Sequence, residues 1–131
     1  MKHFTEICRR VLGKDRSIRF VGLANYLGTL EASSYRKGLA PLMSKEETQQ
    51  YALQATTRAL MRETFEPKVG RLRYAVGTYE KLIRATVPIH TEKNGTYYIL
   101  LSFDVGADAA HIIEQKVVPY IRHSALKEPV E

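Results

Sequence analysis

A chain of 131 residues, 44% apolar and 26% charged, can build one domain with a sizeable core but not two. Its longest strongly apolar stretch, residues 97–103, is far too short to span a bilayer, and the amphipathic start MKHFTEICRR lacks the apolar run and cleavage site of a secretory signal. Cys8 is the only cysteine, which excludes an internal disulfide and points to a reducing, cytoplasmic setting.

The formal charge of +6 is uneven: residues 1–43 carry eight Lys/Arg against three Asp/Glu, and the remainder is close to balance. Arg9, Arg10, Lys14, Arg16, Arg19, Arg36 and Lys37 make up this basic third. Such a patch can attract nucleic acid or an anionic ligand. No aromatic-interleaved RNA-binding signature or helix-turn-helix spacing accompanies it, so a solvated positive face is the simpler reading.

In chain order, Phe4, Ile7, Cys8, Val11 and Leu12 recur at helical spacing and predict a first helix with one apolar stripe. Gly13 suits a left-handed residue after its end. Cys8 lies inside the stripe, which marks a structural thiol and not a nucleophile. Residues 17–24 (SIRFVGLA) read as a strand, Asn25 to Gly28 as a turn, and residues 29–34 as a more polar edge strand. Tyr35, Arg36, Lys37 and Gly38 then open a loop that runs to Pro41.

Ser44 with Glu47 forms a capping box and starts a second helix, which Pro67 is expected to stop after about Thr64. Leu53, Thr57, Leu60, Met61 and Thr64 make one face of that helix. Ala52, Ala55 and Ala59 make a low-profile strip that permits close approach of the sheet or of a partner helix. Three strands follow at 71–76, 81–89 and 96–104, with Asn94-Gly95 as a strong hairpin signal between the last two. Pro88 belongs where pairing on one side has ended, or at a bulge. Asp108 caps a last helix that Pro119 should kink or restart, and residues 126–131 read as a frayed tail beyond a single domain at 1–125.

The stretches TYYILLSF and IRFVGLA are apolar at both parities, so both strands need cover on both faces. Hairpins join strands one and two, and strands three, four and five. The simplest solution is an α+β sandwich with a five-stranded antiparallel sheet in the order 2-1-5-4-3. The long helix covers one face and the terminal helices cover the other.

The stretches IRFVGLAN, YRKGLAPLMSKEET, RETFEPKVG, YEKLIRATVPI and SFDVGADAAHII together resemble a family of small uncharacterised proteins of ammonia-oxidising thaumarchaea. That resemblance spans about residues 7–121 and implies an archaeal cytoplasmic protein with a roadblock- or profilin-like fold. It brings no catalytic residues. The element order is also similar to that of the wider roadblock, profilin, PAS and GAF group, whose members bind, sense or dimerise. Homodimers in that group commonly form through the second helix and third strand, which here offer the alanine strip and the edge RLRYAV.

Several polar groups are candidates for ligand or partner binding. Tyr35, Arg36 and Lys37 beside Gly38 could grip an anion or carboxylate, or could be an ordinary exposed loop. Tyr79, Glu80, Lys81 and Arg84 cluster at a turn, where charged residues also serve solubility. Arg58 and Arg62 could meet an acidic partner or form a solvated helix face, and Arg71 and Arg73 on an edge strand discourage unwanted pairing. Asp104, Asp108 and His111 come nearest to a metal or acid–base set, but Asp108 is better explained as a helix cap. His3, His90 and His123 have no partners at ligand spacing. No phosphate-binding loop, dinucleotide fingerprint, zinc motif or nucleophile elbow occurs, so no catalytic residue, metal or cofactor is assigned.

The sequence thus favours a non-enzymatic regulatory or scaffolding domain, homodimeric, acting on an unknown protein partner. The first alternative is a sensor that holds an anionic small molecule between the sheet and the Tyr35–Pro41 loop, in a pocket lined by Arg36, Lys37 and tyrosines. The second is nucleic-acid binding through the basic third.

Overall fold

Strand β5 (Gly95–Phe103) decides the architecture, because every residue from Tyr98 to Phe103 is buried. A strand with no polar parity can be stable only with cover above and below. A computed structural model describes residues 2–92 and 95–125 and shows that arrangement. The tail expected at 126–131, and Asn94 of the hairpin signal, lie outside the described residues.

The chain begins with α1 (Lys2–Leu12), β1 (Ile18–Ala24) and β2 (Leu30–Tyr35). It continues with α2 (Lys45–Arg62), a 3-10 turn over Glu63–Phe65 and a short α3 (Glu66–Val69). Strands β3 (Ala75–Thr78) and β4 (Ile83–Thr91) precede β5. The C-terminal helix is segmented: α4 (Ala109–Ile112), a π turn (Ile113–Val117), α5 (Val118–Tyr120) and a second π turn (Ile121–Ala125). The sheet runs β2-β1-β5-β4-β3 with every neighbouring pair antiparallel. It is the α+β sandwich with the 2-1-5-4-3 order that the apolar strands called for.

The parities of the central strands sort the core into two layers. Val21, Leu23, Ile99, Leu101 and Phe103 face α1 and the C-terminal helix, meeting Phe4, Ile7, Val11, Ile113 and Val117. Phe20, Ala24, Tyr98 and Leu100 face α2, meeting Tyr51, Ala52, Ala55 and Ala59. Burying such apolar surface, worth about 25 cal/mol per Å², is the main stabilising term. Cys8 lies wholly inside the first layer, and burial pushes its thiol up to about 12.

Four local expectations are corrected. Pro67 does not stop the long helix. It removes the N–H that would bond Glu63, so the chain tightens through a 3-10 turn and then continues as α3. Gly70, at φ +90°, ends it instead. Gly13 follows α1 without a positive φ. The third strand is short and late: residues 71–74 leave the sheet, and Tyr74 and Arg73 turn to Glu114 on the C-terminal helix. Gly77 and Thr78, expected in the turn, pair with Arg84 and Ile83.

Other punctuation stands as expected. Ser44 and Glu47 form the reciprocal capping box. Pro88 falls beyond Thr86, the last β4 residue paired with β3, where that edge needs no N–H from it. Pro119 interrupts the last helix through the two π turns on either side of α5. No helix among the described residues is long and apolar enough to cross a membrane.

Candidate functional site

A concave feature lies on the α2 side of the covered sheet. Where β2 passes into the loop before α2, the chain arches over the ends of β1, β4 and β5. A cavity of about 230 Å³ lies beneath. Leu39, Pro41, Leu42 and Met43 of the loop form its roof, and Phe20 and Leu82 add apolar wall. Tyr35, Tyr51 and Tyr79 reach it from β2, α2 and the β3–β4 turn.

Arg84 stands inside this aromatic lining. Strand β4 alternates, with Ile83, Ala85, Val87 and Ile89 in the first core layer, so Arg84 and Thr86 face α2. The Arg84 guanidinium lies 3.9 Å from the centroid of the Tyr51 ring and 5.7 Å from that of Tyr79. A cation over an aromatic face is attracted by the ring quadrupole. Its Nη2 donates to the Met43 sulfur at 2.9 Å, and its Nε is buried with no hydrogen-bond partner. Burial raises the Tyr51 phenol, and the charges of Arg84 and Arg58 oppose that shift.

The second arginine of the cavity is differently placed. Arg19 Nη1 donates to Asp104 Oδ1 at 3.1 Å. Asp104 also accepts two bonds from Arg36, at 2.8 and 3.0 Å, and Arg36 donates to the Arg16 carbonyl at 2.8 Å. This clamp ties the ends of β1, β2 and β5. The Arg36 hydrogen bonds hold the Asp104 carboxyl below its usual range; burial opposes them, and the Arg19 hydrogen bond adds to the lowering.

Of the sequence candidates, Tyr35, Tyr79 and Arg84 therefore meet in one cavity. Arg36 is turned away into the Asp104 clamp, and Lys37 is exposed in the loop, so neither lines the pocket foreseen for them. Lys81 is exposed in the β3–β4 turn. Arg58 and Arg62 are exposed on α2, with Arg58 near enough to Tyr51 to act on its charge. The site residues that sequence reasoning did not group are Arg19, Met43 and Tyr51. A usable signal was present: Arg84 sits at the parity of β4 that the long helix must cover, one residue from Ala85 in the other layer.

The remaining candidates resolve into structural roles. The Asp108 side chain caps α4 by accepting from the His111 N–H at 3.2 Å, and Asp104 is occupied by guanidinium groups. In the basic third, Arg9 and Arg10 both bond Glu6, and Lys14 lies 4.7 Å from the Tyr120 ring centroid. These cations answer the chain's own acidic and aromatic groups.

The alanine strip, offered above to the sheet or to a partner helix, is turned against the sheet, where Ala52, Ala55 and Ala59 are buried. That leaves the bulky face of α2 outward. Leu53 is 51% exposed, Met61 68%, Phe65 65% and Val69 80%, so a row of large apolar side chains runs in solvent along α2 and α3. Among the described residues, the outer edge of β3 has no neighbour in the sheet.

Topology and layers together have counterparts among solved structures. The gliding protein MglB of Thermus thermophilus superposes with a TM-score of 0.70 at 16% identity, over 95% of this chain and 86% of that one. A structure of MglB with a tetrameric arrangement gives 0.67 at 16% identity, over 85% and 77%. A roadblock/LC7 domain from Streptomyces avermitilis gives 0.65 at 12% identity, over 90% and 93%. The fold is the roadblock/LC7 fold. No protein-family model matches the sequence, and no curated protein does. At these identities the likeness is one of roadblock architecture, and function has to be argued from the surfaces that this chain displays.

Proposed function

We propose that this protein is a non-enzymatic regulatory or scaffolding domain that works as a homodimer and through contacts with a protein partner. The observation that carries this reading is the exposed apolar row Leu53, Leu60, Met61, Phe65 and Val69 on α2 and α3, on a roadblock fold. Several large apolar side chains left in water on one segment of the fold are costly and mark an interaction surface. The tetrameric arrangement of the similarly folded MglB supports assembly through this architecture. A second copy could lay its own α2 against this row and add its β3 edge. The resemblance in the sequence stretches extends the reading to an archaeal, cytoplasmic setting.

Sedimentation velocity at high micromolar concentration tests it. The expected result is a dimer for the natural chain and a monomer for Met61→Glu with Phe65→Glu, each variant retaining its circular dichroism spectrum. A monomeric natural chain overturns the proposal. A double variant that stays dimeric removes this surface from it.

A further inference from the structure

The cavity under the loop before α2 makes a demand that the oligomeric reading does not meet. Arg84 brings a full positive charge into it. Among the described residues the guanidinium has no carboxylate partner; its acceptor is the Met43 thioether, and its Nε is buried without one. A thioether is a weak acceptor, and the Tyr51 ring, with its centroid 3.9 Å from the guanidinium, supplies no hydrogen-bond acceptor of carboxylate strength. Arg19, the other cation of the cavity, is already matched by Asp104. The cavity therefore carries one uncompensated positive charge within apolar walls.

We propose that this cavity binds a small organic monocarboxylate. Its carboxylate would pair with the edge of the Arg84 guanidinium, and an aromatic or branched apolar body would lie against Tyr79, Leu39 and Leu42. The cavity volume of about 230 Å³ exceeds the roughly 150 Å³ of an apolar cavity that accepts benzene, which suits a single-ring acid. One cation balances one negative charge. A phosphate ester would bring a second charge, and the second cation of the lining, Arg19, is already matched by Asp104. A neutral analogue would leave the buried donor unanswered.

The test is a titration of the 15N-labelled full chain with sodium phenylacetate, followed by backbone amide and arginine Nε–H shifts. Parallel titrations use phenylacetamide and phenyl phosphate. The expected result is saturable shifts at Leu39, Leu42, Tyr79 and Arg84, with a Kd of about 1 mM or tighter. Phenylacetamide and phenyl phosphate should each bind at least about tenfold more weakly. Arg84→Gln should abolish the preference for the acid over the amide, and Lys37→Gln should leave it unchanged. Absence of saturable shifts with phenylacetate overturns the proposal. Equal binding of acid and amide by the natural chain does so as well, whether or not R84Q folds. Tighter binding of phenyl phosphate would reassign the site to phosphate esters and overturn the carboxylate.

Discussion

Asp15 joins the start of β1 to the C-terminal helix. Its carboxylate accepts from Lys116 Nζ at 2.8 Å and from the Ser17 hydroxyl and backbone N–H at 2.6 and 3.1 Å. These bonds, the Lys116 one foremost, hold its carboxyl at about 2, below the ordinary 3.8. Asp104 is lowered in the same sense, chiefly by Arg36. A carboxyl whose folded pKa is depressed contributes stability that is present above the unfolded pKa and lost as pH falls through the folded value. The melting midpoint should thus hold level from neutrality down to about pH 5 and fall below it. Asp15→Asn should lower the midpoint at neutral pH and remove the part of the acid loss between 3.8 and about 2, which melts at several pH values would show. A midpoint that rises on acidification would contradict the assignment.

At the scale of elements, α2 sits close to the sheet because its inward side is nearly bare. Ala52, Ala55 and Ala59 leave the volume to Phe20, Tyr98 and Leu100 from below. The β1–β2 turn is fastened to the same helix: Gln49 Nε2 donates to the Gly28 carbonyl at 2.8 Å and Gln49 Oε1 accepts from the Leu30 N–H at 3.1 Å. Gly28 itself has φ +87°, and a Cβ there would stand 2.7 Å from Leu53 Cδ1 and 3.1 Å from Leu53 Cα. These bonds and the close approach at Gly28 hold α2 against the sheet end. Ala55→Leu should therefore destabilise the fold by about 1–3 kcal/mol through overpacking, measured by denaturant unfolding. A neutral result would mean that α2 rides farther from the sheet.

For the whole molecule, the two-sided cover of β5 governs stability. Leu100 is fully buried, with alanines opposite it on α2. Alanines have no side chain that could swing in to fill a void, so little collapse can follow a truncation. Leu100→Ala should cost about 2–5 kcal/mol in urea unfolding, toward the upper end of that range. A loss well below it would mean that α2 settles onto the shortened residue. The roadblock layering also explains the separation of surfaces. The sheet-facing side of α2 closes the core and borders the cavity, while the opposite side exposes Leu53, Leu60 and Met61.

Local chemistry alone determined much of this protein. The double-parity apolar strands dictated cover on both faces, the hairpins dictated 2-1-5-4-3, and Ser44, Asn25 to Gly28 and Asp108 each acted within a few residues of themselves. Tyr35, Tyr79 and Arg84 were recognisable as candidates one at a time. Tertiary structure alone decided which of two plausible α2 faces turned inward, because that choice depends on the volumes that Tyr98 and Leu100 present across the gap. It also decided that Arg36 would leave the loop for Asp104, 68 residues away, while Arg84 would be left among aromatic rings. Pairing of charges over such distances is set by where strand ends meet, and a one-dimensional pattern carries no record of it.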